Sequence, residues 1–180
     1  MVAEREQDFA YFMKCLRAAA AKVEDHYFQV EIAGLARPAF RERVYCYELY
    51  HQLRNVLGPD FPYKLDGEID KRRHPLIEAE LGANKPDFVV HEPGDMGRNL
   101  VVIEVKALPV RTAELSKDLN TLKGFLRIAQ YYRGVLLLYG GRGYDDLPDI
   151  VASRIKEARQ QEERIQSVWH RGPKEFSIVP

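Results

Sequence analysis

The sequence predicts an α/β protein in which a mixed β-sheet is flanked by helices, with a helical addition at the N-terminus. Three observations carry that prediction. Apolar residues recur at helical spacing over 4–24 and 112–130, the runs "DFVVHE" and "NLVVIEVKA" read as paired strands, and the apolar run "GVLLLYG" follows the second of those helices. A hairpin that then crosses over through a helix to a further strand makes a sheet with antiparallel and parallel pairs, covered by helices on its faces.

Taken in order, Phe9, Phe12, Met13, Leu16, Ala20 and Val23 line one face of the first helix, with acidic residues early and basic ones late, as the helix dipole favours. "HYFQVEIAGLARP" breaks the period. Pro38 is expected to open a second helix over 39–58, with Tyr45, Leu49, Leu53, Val56 and Leu57 on one face and Gly58-Pro59 as its stop. "YKLDGEID" reads as the first strand, and "EPGDMGRN" as a long hairpin connection between the next two. After "GVLLLYG" a helix is expected from about Leu147 to Trp169, and the tail "EFSIVP" as a last strand.

A chain of 180 residues buries one substantial core, so 1–180 is read as a single domain, residues 1–36 being the helical addition and 38–180 the α/β core. Apolar residues make up 46% and charged residues 30%, and 27 basic side chains balance 27 acidic ones. That balance excludes a nonspecific polycation and leaves any nucleic-acid contact to a local patch. Cys15 and Cys46 lack the paired spacing of a zinc site and read as buried thiols in a reducing compartment. Acidic residues interrupt any N-terminal signal core and no run reaches membrane-spanning length, so a cytoplasmic protein without a membrane partner is expected.

The chemistry concentrates in "KPDFVVHEPGDMGRNLVVIEVKAL", residues 85–108. Alternation along a strand turns Val102, Glu104 and Lys106 to one face and Val101, Ile103 and Val105 to the other. On the preceding strand Asp87 shares a face with Val89 and His91, and antiparallel pairing brings that face beside Glu104. Two carboxylates roughly 4 Å apart repel by about 4 kcal/mol at an effective dielectric of 20. Such a pair needs a proton or a hard divalent cation. The plain alternative is a solvated Glu104–Lys106 ion pair with Asp87 as a strand-start residue after proline.

These residues resemble the PD-(D/E)xK phosphodiesterases, the restriction-endonuclease-like nuclease superfamily. Its pattern is Pro-Asp at the head of one strand, Glu-x-Lys on the next, and often a Glu on the helix ahead. Here the positions are filled by Pro86-Asp87, by Glu104-Val105-Lys106 and by Glu48. Pro-Asp occurs three times, but only at Pro86-Asp87 does it lead a strand, and the acidic-x-Lys triplet occurs once. The resemblance covers roughly residues 38–140 in order of elements. It implies a divalent-metal-dependent nuclease acting on nucleic acid, DNA ahead of RNA with the choice left open by the sequence, either alone, as a homodimer or with a partner protein. In that picture Asp87, Glu104 and the Val105 carbonyl hold Mg²⁺ or Mn²⁺, Lys106 positions water or stabilises developing charge, and Glu48 joins through water or a second ion.

Basic residues near these strands are where backbone phosphates would rest: Arg72, Arg73 and Lys85, with Lys71 and His74 beside them, then Lys117, Lys123 and Arg127 on the following helix, and Arg142. A solvated face is the ordinary reading of such charges. Glu68 is a second candidate carboxylate, or else an exposed residue paired with Lys71 or Arg72. His51, three residues after Glu48, reads as a helix-surface histidine, because the di-iron pattern needs a second such pair. "YGGRGYDD" resembles only part of a phosphate-cradling glycine turn. Two other readings therefore stay open: a nuclease-fold module without catalysis that binds nucleic acid or a protein, and a small nucleotide-binding protein using that turn.

Overall fold

The computed structural model describes residues 2–68 and 85–180. Six strands form one sheet in chain order: β1 (Lys64–Gly67), β2 (Phe88–Glu92), β3 (Asp95–Leu108), β4 (Arg133–Gly140), β5 (Ile165–Gly172) and β6 (Glu175–Val179). The β1–β2, β2–β3 and β5–β6 pairs are antiparallel, while β3–β4 and β4–β5 are parallel, so the sheet is mixed. Helices α1 (Val2–Ala20) and α2 (Glu42–Leu57) cover one face. Helices α3 (Thr112–Ile128) and α4 (Asp149–Gln161) provide the two parallel crossovers and cover the other.

The pattern of residues on β3 and β4 explains the two layers. Val101, Ile103 and Val105 join Leu137 and Tyr139 under α1 and α2, where Phe12, Leu16, Tyr45 and Leu49 are buried. Val102, Leu136 and Leu138 face the other way, onto Leu115, Leu119, Leu122 and Leu126 of α3 and Ile155 of α4. Strands buried on both faces read as continuous apolar runs, and each large aliphatic side chain fully withdrawn from water contributes about 1.5–3 kcal/mol. The α1 helix shares the core of α2 and the sheet, so the N-terminal segment is structurally integral. Cys15 and Cys46 are free and buried in that same layer. Among the described residues no helix is long and apolar enough to cross a membrane.

Three boundaries differ from the sequence expectation. The second helix begins at Glu42, because Val30 and Ala39 form an isolated antiparallel bridge that keeps the chain after Pro38 extended. The hairpin connection is short: Glu92 pairs with Asp95, leaving only Pro93 and Gly94 in the turn, with Gly94 at φ 89°, a left-handed backbone that suits glycine. Bulges between Val90 and Glu92 absorb the extra residues. Finally, the helix expected to run to Trp169 stops at Gln161, and Ile165–Gly172 is β5, inserted between β4 and the expected last strand.

Candidate active site

The β2–β3 register sets Phe88 opposite Ile103 and Val89 opposite Val102, which brings Asp87 opposite Glu104. The Val105 N–H donates to Asp87 Oδ2 at 2.7 Å. The N–H and C=O of a strand residue project to the same neighbour, so the Val105 carbonyl is turned to the Asp87 side as well. Glu104, only 7% exposed, lies within electrostatic and hydrogen-bonding reach of the Asp87 carboxyl. The two acidic side chains thus converge.

Their electrostatics follow from that placement. Burial, reinforced by the charges of Glu42 and Asp118, pushes Asp87 up to about 7 against the opposing Val105 N–H and Lys106. Burial and the nearby Asp87 and Asp118 carboxylates hold Glu104 well above the ordinary carboxylate range. Lys106 Nζ lies 3.0 Å from Glu42 Oε2 and 3.3 Å from Asp118 Oδ2. Burial pulls its pKa down, but those two carboxylates outweigh it and the net shift is upward. Asp118, itself buried on α3, is raised by burial in spite of Lys106, and its Oδ2 contact is ionic without hydrogen-bond geometry.

Four carboxyl groups around one ammonium would leave an excess of negative charge once ionised, and the donors are hard oxygens, the set that suits Mg²⁺ or Mn²⁺. Among the described residues no group of three or more His, Cys, Asp or Glu side chains is placed to hold one metal ion. The side chains that could contribute to an ion here are the Asp87–Glu104 pair, and solvent or substrate oxygens would have to complete its shell, as is usual for Mg²⁺.

Asp87 is reached from solvent through a cleft of about 700 Å³ between α2 and the end of β1. Two larger grooves, of about 1120 and 960 Å³, contain only exposed carboxylates. Asp87 alone among the carboxyl groups raised by burial lines the smaller cleft, with Glu42 beside it.

Other expected residues are placed differently. Glu48 is not part of the cluster: it accepts a 2.6 Å hydrogen bond from Gln52 Nε2 and lies beside the Tyr27 hydroxyl. Six residues, about 1.7 helical turns, separate it from Glu42 and turn it to another face. Glu42 is the helical acid that meets Lys106. It was missed because the helix was expected to begin at Pro38, which hid Glu42 in a first turn. Asp118 was also missed, since no local signal marks a helix residue twelve positions after Lys106 as its neighbour. Lys123 donates to Gln161 Oε1 at 2.9 Å and Arg127 sits 3.7 Å from Glu162, both at α4 rather than at the cleft. Arg142 is ion-paired with Asp25. Lys85 and Lys117 are exposed, Lys117 adjoining Asp118 in sequence. Arg72 and Arg73, with Lys71 and His74, lie outside the described residues.

Glu68 is paired with Arg43, at 3.0 and 3.4 Å, while Lys71 and Arg72, its expected partners, lie outside the described residues. His51 is on the helix surface, 3.1 Å from Asn55. The glycine turn has a packing role: the Gly140 carbonyl accepts from Trp169 Nε1 at 2.8 Å, and a Cβ at Gly140 would meet the Phe40 ring at 2.7 Å.

No protein-family model, curated protein or solved structure matches the chain.

Proposed function

We propose that this protein is a divalent-metal-dependent phosphodiesterase that hydrolyses nucleic acid. The observation that carries the reading is the contact of Asp87 with Glu104 across β2 and β3, with Lys106 one alternation further along β3. The order α2, β1–β3 hairpins, α3 crossover and β4 is also the order in which the sequence resemblance to restriction-endonuclease-like nucleases laid out its elements.

In this reading Asp87, Glu104 and the Val105 carbonyl would hold Mg²⁺ or Mn²⁺. When bound, the ion supplies positive charge to the phosphoryl group and a more acidic water. Lys106 stays an ammonium, because Glu42 and Asp118 raise its pKa. It therefore serves as a fixed positive charge against the oxygens of the phosphorane-like transition state and is unsuited to act as a base. Water adds to phosphorus and gives up a proton to solvent, the P–O bond to the leaving nucleotide breaks, and that oxygen takes up a proton from solvent. Glu42 and Asp118 act through Lys106 by holding Nζ in place.

The test is Mg²⁺- or Mn²⁺-dependent cleavage of labelled single-stranded, duplex and branched nucleic acids by the wild type, Asp87→Ala and Lys106→Ala. Loss of Lys106 is expected to lower the rate by on the order of 10²–10³, with Asp87→Ala at least as severe. Equal background in all three preparations would leave only a binding module.

A further inference from the structure

The cleft that leads to Asp87 has an aromatic lip. Arg43, Tyr47 and Tyr50 are spaced i, i+4 and i+7 on α2 and so share one face, and all three line the cleft opposite Asp66 and Glu68. Tyr50 is committed to the fold: its hydroxyl donates to the Leu65 carbonyl at 3.1 Å and its ring lies 6.2 Å from that of Phe88 at an interplanar angle of 24°. Tyr47 is different. It is 64% exposed, and among the described residues no hydrogen bond or ring contact involves it. Across the mouth, Arg43 holds Glu68, whose backbone sits at φ 46° with its N–H donating to the Asp87 carbonyl at 3.1 Å.

We propose that Tyr47 is a stacking platform for an unpaired base, so that the substrate of the cleft is a single-stranded segment of nucleic acid. The proposal rests on the phosphodiesterase reading of the Asp87–Glu104 site. A base inside a duplex has both faces covered by its neighbours, and only an unstacked nucleotide offers a free π-face to a tyrosine. A cleft of about 700 Å³ accommodates a group of nucleotide size. Arg43 is within the same cleft to exchange Glu68 for a backbone phosphate, a bidentate acceptor of the same geometry. With the base on Tyr47 and a phosphate on Arg43, the neighbouring phosphodiester is directed toward Asp87.

Fluorescence anisotropy with a short labelled single strand, and with the same strand annealed to its complement, tests this in buffer containing Ca²⁺ in place of Mg²⁺. Tyr47 is exposed, so its replacement leaves the core intact. The wild type should prefer the single strand, Tyr47→Ala should weaken that binding by about tenfold, and Tyr47→Phe and Tyr47→Trp should stay within about twofold of wild type. Binding unchanged in Tyr47→Ala, an equal fall in the aromatic variants, no binding of the single strand, or indifference between strand and duplex would each overturn the proposal. Mg²⁺-dependent cleavage that ignores Tyr47→Ala removes the platform and keeps the enzyme. Tyr47-dependent binding without cleavage keeps the platform and removes the enzyme.

Discussion

On the proposed reading, the binding of a proton and of a cation at Asp87 are alternatives. In the unfolded chain this carboxyl titrates near 3.8, and in the fold it is raised to about 7, chiefly by burial. The folded state therefore holds an extra proton between those values, and the stability that proton supplies is complete below about 4 and lost as pH rises to 7. The metal-free protein should accordingly lose thermal stability over that interval, and Asp87→Asn should flatten the slope. On the proposed reading Mg²⁺ competes with protons for the pair, so it should raise the melting temperature more at pH 8 than at pH 6. A Mg²⁺ shift of equal size at both values would detach the pair from metal binding. Between the two helical acids, Glu42→Gln should lower the cleavage rate by on the order of 10–100-fold by releasing Lys106, whereas Glu48→Gln should leave it at the wild-type level in the same assay.

Among the elements, α3 and the turn after β4 carry the clearest structural tests. Leu122 is fully buried against β4, where a Cβ on Gly134 would already lie 3.6 Å from its own Cβ. Leu122→Ala should cost about 2–5 kcal/mol in urea unfolding, with the m-value unchanged. Gly140 stands at φ 78° with the Phe40 ring against the place of a side chain. Gly140→Ala should therefore destabilise the fold by about 1–3 kcal/mol with or without added nucleotide. Elements were legible in proportion to how purely one force made them. The runs of β3 and β4 are apolar on both faces and declared themselves, as did the leucine spacing of α3. The strand β5 did not, because "RIQSVWHRG" mixes charge into a segment that follows an amphipathic helix without a glycine or proline to mark the break. The pairing of Asp87 with Glu104 was legible because alternation and hairpin register are local rules. Asp118, Glu42 and the exposed lip at Tyr47 were not, since they meet the site only through helix docking.

For the molecule as a whole, the sheet order places β3 and β4 in the middle and β1 and β6 at the edges. Amides of β3 and β4 should be the slowest to exchange with deuterium, and those of β1 and β6 much faster. Uniform protection across all six strands would contradict a stability gradient from centre to edge. The candidate catalytic pair spans β2 and β3, between the lower-stability edge and the rigid centre. Glu104 and Lys106 are thus carried by the stiffest element, and Asp87 by its neighbour.

Trp169 is the single tryptophan of the chain, buried on β5 with its indole N–H on the Gly140 carbonyl and Arg171 over its ring. Its ultraviolet emission is consequently a native optical gauge of the β4–β5 seam, two strands away from Glu104. An oligonucleotide that occupies the cleft should leave that colour unchanged, while global melting should redden it.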